Sequence, residues 1–256
     1  MEHLFPIIGE GMWTLNLTSA AATVLAMIIV LVMARLAVVN MSIRNPRGMQ
    51  NLFEWLTDFI TGLAKDTIGG QRSLTYVPLA LTLITYLFVS NQMGLIMNLN
   101  FEVHGTMVGV SQEALAEHGG HSVVAFFASP TANMSVALAM SIGIVTMTHI
   151  IGLRNPRSYF KHYVEPYPAL LPLHLIDEVS KFVTLGLRLF GNIFAGEVLV
   201  GIILGIPFIG GWFPLGGVPL IVWLAYSLFV GTIQSFVFTV LTLVYIGQKL
   251  PHDEHH

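Results

Sequence analysis

Few side chains in this 256-residue sequence are placed to do chemistry, and two stand out: Arg188 and Glu197. Both lie in Leu185-Gly-Leu-Arg-Leu-Phe-Gly-Asn-Ile-Phe-Ala-Gly-Glu197, a run that is otherwise apolar, small or amide. An arginine is not deprotonated in a protein, so Arg188 can act only as a fixed positive charge. Such a charge attracts a carboxylate, favours its ionised form and repels a passing cation. Carrying a proton needs a different group, one that titrates, and Glu197 is the carboxylate deep in this stretch. At about 100° per residue, Asp177, Lys181, Arg188, Asn192 and Ala195 share one helix face, and Glu197 points to the opposite one. Further along, Ser227, Gly231, Gln234 and Tyr245 form a polar or small stripe. Ordinary small-residue helix packing accounts for that stripe when it is taken alone.

The surroundings of these residues are set by composition. Hydrophobic residues make up 54% of the chain and charged ones 10%, where a soluble domain carries about 25% charged residues. Mean hydropathy is +0.74. These values exclude a soluble globular enzyme and a disordered chain. A net charge of -3 excludes a nucleic-acid binder, and the absence of cysteine excludes disulfide frameworks and thiol chemistry. What remains is an all-α membrane protein. In that setting a lone arginine costs about 2.5–3.5 kcal/mol at a helix centre, so its presence points to function.

A crossing helix needs about 20 apolar residues. Residues 15–40, 74–99 and 131–153 meet that length, and two longer stretches follow at 170–206 and 219–248. The first has no basic segment before it and no small-residue cleavage site after it, so an uncleaved span is expected. At about 1.5 Å per residue the last two helices exceed a hydrocarbon core of about 30 Å, which predicts a long, steeply tilted hairpin. Residues 46–69 differ: Met49, Leu52, Phe53, Leu56, Phe59, Ile60 and Leu63 take one helical face and Gln50, Glu54, Asp58, Thr61 and Lys65 the other. That pattern predicts an amphipathic helix lying in the membrane interface.

Arg35, Arg44, Arg47, Lys65 and Arg72 fall between the first two spans, Arg154, Arg157 and Lys161 after the third, and Lys249 after the fifth. The tail at 1–14, the loop at 100–129 and the turn at 207–219 contain no Lys or Arg. The positive-inside rule then puts the N-terminus outside and the tail at 249–256 in the cytoplasm, with 1–256 forming one membrane domain.

The run Leu185 to Asn192 with Ala195-Gly-Glu197, and Gln234 within Gly231-Thr-Ile-Gln-Ser-Phe-Val-Phe238, resemble the two hallmarks of subunit a of F-type ATP synthases. Ser90-Asn91 and Ser129-Pro-Thr-Ala-Asn133 resemble weaker motifs of that family. The resemblance extends over essentially the whole chain. It implies a non-catalytic stator subunit without a cofactor, working in a bacterial plasma membrane beside a ring of c subunits. Peripheral-stalk subunit b and the rest of the complex are the other implied partners. By the same resemblance, two half-channels carry protons to and from the ring carboxylates. Arg188 separates them, and Asn192, Glu197 and Gln234 line the path. Ser227 stands where several family members have a His or an acid, so water with Ser227 and Gln234 is the expected link to Glu197. Asn133 likewise replaces an acid found in some members. Glu165, His174, Asp177 and Glu178 are candidates for the inner half-channel, and for each a solvated or interfacial role is the favoured reading.

Other features carry less. His118, His121, His252, His255 and His256 lack the fixed geometry of a metal site, so no metal is expected. A self-contained secondary ion transporter is the alternative function, but it would normally carry internal repeats, and none is found. An assembly protein with Arg188 in a structural ion pair is a further rival.

Overall fold

The computed structural model describes residues 7–8, 15–39, 41–96, 99–103, 122–127, 129–156, 159, 171–206, 208–209, 213–214 and 216–250. Glu165 and the histidines at 118, 121, 252, 255 and 256 lie outside them. Six α-helices occur among the described residues: α1 Leu17–Val38, α2 Met49–Ile68, α3 Val77–Ile96, α4 Met134–Gly152, α5 Leu171–Leu204 and α6 Gly217–Lys249. All but α2 are long and apolar enough to cross a membrane. The chain is an all-α membrane protein, and its short antiparallel ladders join the helices. The longest pairs Leu99–Val103 with Ser122–Phe127, in the segment expected as a plain loop. Val123, Val124, Phe126 and Phe127 are β-branched or aromatic, which suits a strand better than a loop.

Helix ends follow from local chemistry. Pro78, Pro172 and Pro219 each fall in the first turn of their helix, where a missing N–H costs nothing because no carbonyl precedes it. For this reason α6 begins at Gly217, ahead of the proline that the sequence alone marks as its start. At the far end of α5 the Gly205 N–H bonds the carbonyls of Gly201 and Ile202, closing the helix two residues before Pro207. Between α2 and the 3-10 turn Gln71–Tyr76, Gly69 and Gly70 have φ of 78° and 58°, a left-handed geometry that favours glycine at both positions.

Two compact units are distinguished. The first comprises Met1–Val30, Phe88–Val136 and Phe190–Thr232, and the second Leu31–Leu87, Ala137–Leu189 and Ile233–His256. In the second, α2 lays Ile60 and Ala64 against Val77 and Ala80 of α3 and Leu243 of α6, with Leu56, Leu63 and Ile84 around them. Leu52, Trp55 and Phe59 on the same helix stay exposed, and the Trp55 and Phe59 rings stack 5.9 Å apart. The apolar side of α2 is therefore divided between a protein-covered strip and an open aromatic one. In the first unit, Asn133 donates to Ser19 Oγ on α1 at 3.1 Å, while its own Oδ1 accepts from the Ser135 N–H and caps α4.

Leu243 is fully buried where α2, α3 and α6 meet. Leu243→Ala should cost about 2–5 kcal/mol and lower the thermal unfolding midpoint in detergent. Leu31→Ala on α1, at a residue 70% exposed, should leave that midpoint near the wild-type value.

Candidate functional site

The first unit holds a cavity of about 110 Å³ between α3, α5 and α6. Asn192, Glu197 and Ser227, three of the residues singled out from sequence, line it together with Asn91, Gly94, Trp223, Tyr226 and Gly231. Glu197 reaches it from the more buried side of α5. Its Oε1 accepts a hydrogen bond from the main-chain N–H of Ser129 at 3.2 Å. Ser227 Oγ is buried and has no hydrogen-bond partner among the described residues, and a polar atom so placed calls for a polar occupant of the cavity. Trp223 Nε1 donates to the Gly196 carbonyl at 3.2 Å, holding α6 against α5 beside the carboxylate.

The wall of α3 is polar too. Asn91 Nδ2 donates to the Gly231 carbonyl at 3.0 Å, and Gln92 Nε2 to the Leu228 carbonyl at 3.2 Å. Both amides come from a largely apolar helix, and both bind α6 where Gly231 lets it approach. Asn91 was legible as part of a weak family motif. Gly94 and Trp223 were not, since an isolated glycine or tryptophan in an apolar helix signals only close packing.

Part of α5 is open, and Asn192 and Ala195 border both this surface and the cavity. Leu187, Arg188, Asn192, Phe194, Ala195 and Val198 are exposed, whereas Leu185, Leu189, Ile193 and Gly196 are buried. Arg188 thus sits on an exposed apolar strip, on the face predicted from helical spacing. Gln234, in the second unit, points inward with 3% exposure. It belongs to a buried polar row on α6 with Ser235, Thr239 and Thr242, whose threonine hydroxyls bond carbonyls one turn earlier.

Asp177 and Glu178 belong to a separate cluster within the second unit. Lys181 lies 3.1 Å from Asp177 and 3.2 Å from Glu178, and its Nζ also donates to Gln248 Oε1 at 3.1 Å. Lys249 donates to the other side of the cluster at Glu178 Oε1, and His149 Nε2 approaches Oε2 at 3.5 Å. Tyr159 bonds His149 Nδ1 at 2.9 Å, and its ring lies under Lys249. Asp177 is 62% exposed, as a solvated residue should be, but Glu178 is only 12% exposed. Lys249, expected merely as a flanking charge, is 2% exposed in its side chain. Two lysines and a histidine make this burial of a carboxylate tolerable, and sequence spacing alone does not reveal partners brought from α4 and α6. His174 lies in the first turn of α5.

Comparison with known proteins bears on the whole chain. Residues 20–247 match the family model for the ATP synthase A chain. The chain belongs to this family. Among its relatives, ATP synthase subunit a of Bacillus velezensis is 36% identical over 264 residues, covering 99% of this chain and all of the relative. Those of Bacillus subtilis and Bacillus pumilus are 35% and 37% identical, over 99% and 94% of this chain and 100% and 95% of theirs.

The Glu178 cluster makes a stability prediction. Glu178→Gln leaves Lys249 buried without its anion and should cost about 3–5 kcal/mol. Replacing both partners, as Glu178→Leu with Lys249→Met, should recover most of that loss. Unfolding in detergent, followed for the single and double variants, checks the sign.

Proposed function

We propose that this chain is the proton-translocating stator subunit of a rotary ATP synthase, facing the carboxylates of a c-ring through Arg188 and offering a half-channel on each side of it. The observation that carries this reading is the division of α5 into two faces. One presents Arg188 as a fixed cation on an exposed strip, and the other carries Glu197 to a cavity whose lining includes Asn91, Asn192 and Ser227. In this reading a ring carboxylate arrives protonated from lipid and loses its proton near Arg188, because the cation favours the ionised form. It passes the arginine, is reprotonated from the other half-channel, and returns to lipid neutral. Each proton crossing 100 mV releases about 2.3 kcal/mol, which drives rotation.

Glu197 is the proton carrier of the outer half-channel, with Asn192 and Ser227 beside it in the cavity, and Gln234 is a further hydrogen-bonding residue of the proton path. The cavity is large enough for a few waters, and Ser227 Oγ would be one of their partners. Glu165, His174 and Asp177 are assigned to the inner half-channel, together with Glu178. The ion pairs of Glu178 suit it to shaping the mouth of that channel. The chain forms no covalent intermediate and holds no cofactor; nucleotide chemistry belongs to other subunits. It lies in the plasma membrane with its N-terminus outside and its C-terminus in the cytoplasm, α2 resting at the cytoplasmic interface. Peripheral-stalk subunit b, the remaining ATP synthase subunits and the bilayer are its other contacts.

Arg188→Ala in the complete complex tests the assignment. Assembly should be intact and ATP-driven proton pumping into vesicles should be abolished. Retained pumping in that variant overturns the role given to Arg188.

A further inference from the structure

The seat of Glu197 has a feature the proposed function leaves unexplained: its hydrogen-bond partner is a main-chain amide on a turn, and a glycine makes room for it. A Cβ at Gly94 of α3 would lie 2.5 Å from Ser129 Cβ, 3.1 Å from Glu197 Oε1 and 3.3 Å from Ser129 Cα. The first is closer than real Cβ atoms approach, and the other two are tight, the last against backbone, which cannot swing aside. Gly94 is therefore the position where helix, turn and carboxylate converge.

The turn itself is fastened from behind. Ser129 Oγ donates to the Ser90 carbonyl at 2.9 Å and lies 2.7 Å from Thr131 Oγ1. Thr131 Oγ1 donates to Asn91 Oδ1 at 2.9 Å, and Asn91 in turn donates to the Gly231 carbonyl of α6. Ser129, Thr131 and Asn91 are all essentially inaccessible. The chain ends in a peptide carbonyl on one side and a carboxamide on the other. Neither end exchanges protons near neutral pH, so this row of hydroxyls holds the turn in place and does not conduct.

We infer that Gly94 and the Ser129–Thr131 turn are positioning residues for Glu197, assigning its Oε1 to the Ser129 amide and its Oε2 to proton exchange with the cavity. This rests on the reading of Glu197 as a proton carrier. The chemistry favours such a division. A carboxyl oxygen facing an N–H accepts a hydrogen bond whether the group is ionised or protonated on its other oxygen. Glu197 gains and loses its proton without turning, which is the advantage of a preorganised site.

The test uses the assembled complex in vesicles, with ATP-driven proton pumping measured across a range of pH. Gly94→Ala should assemble normally, pump about ten- to a hundredfold more slowly, and show a displaced pH profile. Glu197→Gln is the companion variant. Wild-type pumping by Gly94→Ala beside an inactive Glu197→Gln overturns the seat, whereas normal pumping by Glu197→Gln overturns the proton-carrier reading beneath it. Should Gly94→Ala fail to assemble, Thr131 decides. Thr131→Ser, which keeps the hydroxyl, should pump faster than Thr131→Val, and equal rates overturn the inference.

Discussion

Inside hydrocarbon a polar side chain has no solvent to fall back on, and this single constraint sorts the polar residues of the chain. Most hydroxyls solve it locally: Thr23, Thr85, Thr148, Thr239 and Thr242 each donate to a carbonyl three or four residues earlier on their own helix. The amides of Asn91 and Gln92 solve it across helices, and in doing so tie α3 to α6. Among the described residues the constraint is left open at Ser90 Oγ, Gln92 Oε1 and Ser227 Oγ. Two of these three lie on the α3 segment that carries the cavity wall, and the third lines the cavity itself. Buried polar atoms without partners beside a cavity suit that wall to a polar occupant.

The two buried carboxylates on α5 show how differently the same chemical group is accommodated. Glu178 is held by the cations of Lys181 on α5 and Lys249 on α6, so its negative charge has fixed counterparts. Glu197 has a neutral main-chain amide and a cavity beside it. A group held by full charges is suited to staying as it is. A group held by a dipole and open polar space is suited to change.

Much of this was legible in sequence. Length and composition were enough to find the five long apolar helices, because a membrane imposes a minimum length that few soluble helices share. Helical spacing was enough to put Arg188 and Glu197 on opposite faces of α5. What remained hidden has a common physical cause. The ladder Leu99–Val103 with Ser122–Phe127 joins segments far apart in the chain, and the pairing of Lys249 with Glu178 does the same. Periodicity describes one element at a time and carries no information on which elements meet. The expected breaks at Pro219 and Pro207 missed the true helix ends by a few residues, since a first-turn proline is tolerated and a glycine can close a helix early.

The amide that holds Glu197 has a bearing on how such a site is inherited. Every residue except proline supplies a main-chain N–H, so no ordinary substitution at position 129 deletes this donor, and alanine scanning would pass over it in silence. Selection could act on the contact only indirectly, through the neighbour whose missing side chain leaves the space. In a lineage of such proteins the heritable trace of this hydrogen bond would be a glycine on another helix, with neither donor nor acceptor of its own in the bond.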